Sequence, residues 1–144
     1  MKSISDIAKA LKARGETLKP LQIKQIEQIE SEFHVVLPGV YKDFLLLMGR
    51  GAGNYMQGSS IFYPEVFQLR EATLELISEN QLPPLPPDGF VFWMHQGYQS
   101  AYFKVNEGDD PSVYYYSESR DWRDFILKEQ RLTDFFIIQF KMSY

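Results

Sequence analysis

Four prolines crowd into residues 83–87, at positions 83, 84, 86 and 87. Each fixes its own backbone angle and lacks an amide donor, so the stretch reads as a stiff extended spacer that cannot join a central strand. On its amino-terminal side, apolar residues recur mainly at helical spacing. On its carboxyl-terminal side, aromatic and β-branched residues crowd short runs separated by turn chemistry. The chain of 144 residues has 44% hydrophobic and 24% charged positions, the balance of one globular domain spanning 1–144. A chain of this mass buries roughly 69% of its unfolded surface, enough for an independent core. No cysteine is present, which removes disulfides, thiolate metal sites and thiol nucleophiles and gives no sign of an oxidising compartment. No apolar run approaches a spanning helix, and the first thirteen residues do not resemble a signal-peptide core, so a cytoplasmic, non-membrane protein is expected.

Four helices are predicted before the spacer. Ser3 or Ser5 caps the first, which carries Ile4, Ile7, Ala8 and Leu11 on one stripe and ends at Gly15. A second runs from Pro20 with Ile23, Ile26, Ile29 and Phe33 inward. A third starts at Pro38, turns Tyr41, Phe44, Leu45 and Met48 inward and stops at Gly49. Residues 49–60 hold four glycines and read as a flexible loop, followed by a short strand over 60–63. The fourth helix covers 65–80, with Val66, Leu69, Thr73, Leu76 and Ile77 inward.

Beyond the spacer, 90–95, 100–105 and 112–117 are strands, and short connections make them antiparallel. Residues 120–131 fit a fourth strand through Phe125 and Leu127 or a helix through Trp122, Phe125 and Ile126; Thr133, as a cap for a final helix over 134–142, favours the strand. The expected fold is therefore α+β, with N-terminal helices preceding a mainly antiparallel, or mixed, sheet of four to six strands and helices packed on one side.

Strand parity separates two sheet faces. Ala101, Phe103 and Val105 share one, and Tyr102 and Lys104 the other; Val113 and Tyr115 oppose Tyr114 and Tyr116. If helices cover only the aliphatic face, Tyr98, Tyr102, Tyr114 and Tyr116 form an aromatic patch bordered by Glu107, Asp109, Asp110, Glu118 and Asp121. Such a patch suits a protein interface, because tyrosine and tryptophan supply area with few rotamers to freeze. The alternative is that the tyrosines form a second core layer beneath a helix.

Charge supports a protein partner. Residues 1–50 carry eight Lys and Arg against six acids, whereas residues 51–144 carry seven against thirteen. Between Lys42 and Lys104 the only bases are Arg50 and Arg70. A negative field of this kind repels phosphate backbones and attracts basic partners, which disfavours direct nucleic-acid binding; the bland reading is solubilising charge. Catalytic chemistry finds little footing. The glycines at 49, 51 and 53 follow a helix and lack a GK[ST] ending, so they do not form a phosphate loop. His34 and His95 have no helical partner histidine, and no GxSxG occurs. Asp109 and Asp110 sit in a turn, where adjacent carboxylates diverge into solvent instead of sharing a substrate. No enzyme and no metal or other cofactor is expected.

Three islands resemble a known family. Ile26, Glu27, Ile29, Glu30, Phe33, Leu37, Pro38, Tyr41, Phe44, Leu45 and Gly49 form the first; Gly97, Tyr98 and Gln99 the second; Asp109, Asp110 and Pro111 before Val113 and Tyr114, with Thr133 and Phe136 later, the third. In order and spacing they resemble the SUKH superfamily, which includes the fungal cell-wall-synthesis regulator and many bacterial immunity proteins, over roughly 20–142. Met48 stands where many members carry asparagine, and Gly97 and Tyr98 where many carry a Gly and Asp pair. The resemblance implies an α+β fold, no cofactor and function by binding proteins, commonly neutralisation of a cognate polymorphic toxin that is often a nuclease or deaminase. On that reading Asp109, Asp110, Glu118 and Asp121 steer a basic toxin domain, and Tyr98, Tyr114, Tyr116 and Trp122 anchor it, with the chain a monomer or weak homodimer. The alternatives are a housekeeping interaction module nearer the fungal regulator, and a small-ligand sensor or enzyme using a pocket between sheet and glycine loop.

Overall fold

The computed structural model describes residues 1–144. Helices α1 (Ile4–Ala13), α2 (Ile23–Phe33) and α3 (Gly39–Met48) come first. Ser3 caps α1, its hydroxyl accepting from the Asp6 amide, and the four stripe residues of α1 are buried. In α2 only Ile26 and Ile29 are fully buried; Ile23 is 66% exposed because the helix starts there, three residues after Pro20, and its first turn faces water. Pro38 is the N-cap of α3, and Tyr41, Phe44, Leu45 and Met48 are buried as the spacing predicts.

The 49–60 segment is not a free loop. Its apolar side chains Ala52, Tyr55 and Met56 are buried, and the Tyr55 hydroxyl donates 2.7 Å to the Phe136 carbonyl. Gly51 bridges to Lys19, and Glu16 accepts from the Asn54 amide and the Tyr144 hydroxyl. Of the expected 60–63 strand only Ser60 pairs, in β1 (Ser59–Ser60); Ile61 is buried in the core and the chain turns at Tyr63 and Pro64. A 3₁₀ turn over Glu65–Gln68 leads into α4 (Leu69–Asn80).

After the proline spacer come β2 (Gly89–His95), β3 (Gln99–Lys104), β4 (Val113–Ser117) and β5 (Ile126–Glu129), then α5 (Leu132–Ser143). The strands form one antiparallel sheet in the order β1-β2-β3-β4-β5. The 120–131 stretch thus supplies a strand, as Thr133 suggests. Thr133 itself is not the cap of α5: Arg131 is, and Thr133 lies inside the first turn, buried.

Tyr102 pairs directly with Tyr114, and Ser100 with Tyr116, so these side chains share a face. On the opposite face Phe103 meets Tyr41 at 5.2 Å and Phe92 meets Phe135 at 5.2 Å between ring centroids. This places α3 and α5 against the aliphatic and phenylalanine side. A register shift between Val91 and Trp93 brings two consecutive side chains of β2 onto that side: Phe92 and Trp93 both contact Phe135 edge-on. The α+β class, the antiparallel sheet and the leading helices are as expected. The placement of α4 differs, because it crosses to the tyrosine face. Its buried Thr73 shares a 2.7 Å hydrogen bond with Ser100, and its Leu76 and Ile77 pack with Leu82 and Tyr116. The proline spacer is long and stiff enough to let α4 and β2 lie on different layers.

Candidate interaction face

The helix α4 decides which aromatic residues are free. Tyr116 is 2% exposed and Tyr102 6%, so neither can be an anchor for a partner, contrary to the open patch expected from parity alone. The reason is hydrophobic burial: Leu76, Ile77 and Leu82 cover the Tyr116 ring, while Phe125 closes edge-on over Tyr102 at 5.1 Å. Replacing Tyr116 by alanine should therefore cost about 3 kcal/mol of stability, the range for emptying a large aromatic core site, with little direct effect on binding. A thermal or urea melt that matched the parent would return Tyr116 to the surface.

Tyr114 remains half-buried. It stacks on Tyr102 at 5.1 Å, holds the Lys104 ammonium 4.9 Å from its ring centroid and donates 3.4 Å to Glu107. Burial, and then the negative charge of Asp124, Asp88 and Glu107 together with neighbouring Tyr114, pushes the Tyr102 phenol up to about 12. Three carboxylates therefore act on one ring of this face. Trp122 is half-buried and edge-on to Tyr115 and Tyr116 at 5.7 and 6.4 Å. Asp121 beside it is exposed, as is Glu118, which accepts 2.8 Å from the Asn80 side chain at the end of α4. Tyr98 is half-buried in the β2–β3 turn, and its carbonyl accepts from the Glu118 amide.

The acidic turn is put to a different use from the one its composition suggests. Asp110 accepts from both the Thr133 amide, 2.9 Å, and the Thr133 hydroxyl, 2.8 Å. Asp109 accepts from the Gly39 amide at 3.3 Å, and its carbonyl takes the Val40 amide at 3.0 Å. Asp110 is half-buried, and Asp109, although exposed, turns one carboxylate oxygen back onto the chain. They satisfy amides left open in the first turns of α3 and α5, and their charge sits at the positive end of each helix.

Sequence reasoning missed the strongest acidic feature of this face. Glu71, Glu75 and Glu79 recur every fourth residue on α4 and are all exposed, with Leu74 beside them 43% exposed. The last turn of α4 carries no base. The four-residue spacing was visible in the sequence, but its importance depends on where α4 lies. Through Asn80 the stripe continues to Glu118. Like charges at this spacing, with an acid at the negative end of the helix, weaken it locally by a few tenths of a kcal/mol per pair.

Between the sheet and the glycine loop lies a groove of about 340 Å³ whose lining includes Gln57, Trp93, His95 and Tyr115. His95 there is stacked on Trp93 and shares a 3.1 Å hydrogen bond with Ser59. No three His, Asp or Glu side chains converge to hold a metal, and no helix is long and apolar enough to cross a membrane.

A family model described as SUKH_6, SMI1-KNR4 cell-wall, matches residues 23–136, well over half of the chain. No curated protein matches it. The matched stretch runs from the first residue of α2 into α5 and contains α4 and the tyrosine side of the sheet.

Proposed function

Because the chain belongs to the SUKH superfamily, a family of protein-interaction domains, we propose that it is an immunity protein that neutralises a cognate toxin by covering a basic substrate cleft. The observation that carries this reading is the exposed acidic stripe Glu71, Glu75 and Glu79, joined through Asn80 to Glu118. No base interrupts this exposed stripe, whereas a surface suited to solubility alone interleaves both signs. Toxins that act on nucleic acid present positive clefts, and an acidic protein reaches them faster by electrostatic steering. Leu74, Tyr114 and Trp122 then supply apolar contact within the charged surround. Both partners act in the cytoplasm, and the chain contributes binding without catalysis or a cofactor.

The test is co-expression. A nuclease or deaminase toxin domain encoded next to this chain should arrest growth alone and lose that effect when the intact chain is co-expressed. The two should also copurify as a stoichiometric complex. Undiminished killing beside well-expressed, folded chain would reject neutralisation and leave a regulatory interaction module, nearer the fungal cell-wall-synthesis regulator, as the reading of the same surface.

A further inference from the structure

The sheet is irregular at two places, and both bring side chains to the groove between the sheet, α5 and the glycine loop. In β2 the extra residue turns Trp93 to the α5 side beside Phe92. In β5 the register passes from Leu127 opposite Tyr114 to Glu129 opposite Val113, so Lys128 is the extra residue. Leu127 lies with Tyr114 on the tyrosine face, whereas Lys128 and Glu129 both line the groove. Regular alternation would send one of these two to the other face.

Lys128 and Glu129 supply the ammonium and the carboxylate of this groove, whose other polar groups are amides, hydroxyls, the Trp93 indole and the His95 ring. They are paired neither with one another nor with any other side chain; the protein's two ion pairs are Lys42 with Glu30 and Arg131 with Asp134. The Lys128 ammonium rests over the Tyr115 ring at 5.3 Å. Burial raises the Glu129 carboxyl above its ordinary value, with Lys128 lowering it and Asp134 raising it. The Trp93 indole N–H, on a residue 4% exposed, is one of two buried polar side-chain atoms in the protein without a hydrogen-bond partner, a state that buried donors seldom hold. Phe135, Ile138 and Met56 give the groove an apolar wall, and its volume of about 340 Å³ is in the range of small-molecule sites.

We infer that this groove is a binding site for a free, zwitterionic α-amino acid with an aliphatic side chain. A ligand with a single charge leaves either Lys128 or Glu129 without a counterpart, whereas an ammonium and a carboxylate on one carbon meet both, in a lining whose two charges cancel. The ligand carboxylate pairs with Lys128 and offers the Trp93 N–H an acceptor. Its ammonium pairs with Glu129, and its side chain lies against Phe135 and Ile138. The groove is on the sheet face opposite α4, separate from the acidic stripe, and does not depend on the toxin reading.

The probe is L-leucine, titrated into the full ¹⁵N-labelled chain. The controls are 4-methylpentanoate, which lacks the ammonium, and 3-methylbutylamine, which lacks the carboxylate. The expected result is amide shifts centred on residues 93–99, 128–129 and 138–143, a downfield shift of the Trp93 indole N–H, and binding of leucine at least tenfold tighter than of either control. Glu129→Gln should remove the preference for leucine over 4-methylpentanoate and keep that over 3-methylbutylamine; Lys128→Gln should do the reverse. The three-ligand comparison on the parent chain decides the matter even where a variant fails to fold. Equal binding of leucine and either control, shifts centred elsewhere, or no binding at tens of millimolar leucine would each overturn the inference.

Discussion

Asp110→Ala is expected to destabilise the protein by about 2 to 3 kcal/mol, or a fall in Tm of roughly 6 to 10 °C for a chain of this size. Two charge-assisted hydrogen bonds disappear, and the Thr133 amide and hydroxyl, on a residue only 5% exposed, lose their acceptors at the first turn of α5. Favourable interaction of the carboxylate with the helix dipole disappears as well. Asp110→Asn keeps one acceptor and loses the charge, so about half of the effect should remain. Asp109→Ala should cost less, about 1 kcal/mol, because its side-chain bond to Gly39 is long and its carbonyl still holds the Val40 amide. Lysine at both positions places cations against two positive helix ends and should prevent stable folding. A melt of Asp110→Ala within 1 °C of the parent would show that the turn is an ordinary solvated surface.

The second large effect concerns association. Changing Glu71, Glu75 and Glu79 together to lysine adds two charges at each position and takes the formal net charge from −4 to +2. Against a basic toxin domain the association rate should fall about a hundredfold at low salt, within the range that steering supplies. At 0.5 M salt the gap should shrink to a few fold as the Debye length drops to about 4 Å. Dissociation should change far less. The triple glutamine variant should show an intermediate rate and keep the helix, since it removes the repulsion between successive glutamates. Stopped-flow association of both variants at several salt concentrations distinguishes the cases. Equal rates at low salt would exclude α4 from encounter and move the interface elsewhere.

Each prediction reassigns an acidic group relative to what the sequence suggests. Asp109 and Asp110 look like steering charge, because a pair of carboxylates in a turn is usually solvated. Only the approach of residues 39 and 133, distant in the chain, turns them into helix-end acceptors. Glu71, Glu75 and Glu79 look like the ordinary wet side of an amphipathic helix until α4 is seen covering the tyrosine face, where the stripe becomes its outer surface. Tyr116 makes the same point from the other side. Its face was readable from parity, but its cover was not.

Properties carried within a segment were determined by the sequence alone. The 3.6-residue stripes of α1 and α3, the inward set of α4 and the strands after the prolines follow from side-chain periodicity and local backbone preference. The choice of sheet face for α4, the pinning of the glycine loop by Tyr55, the extra residue that turns Phe92 and Trp93 to one side, and the partners of Asp109 and Asp110 were decided by the tertiary structure. All of these depend on contacts between residues far apart in sequence, where burial and hydrogen-bond satisfaction choose among arrangements that local periodicity leaves equivalent.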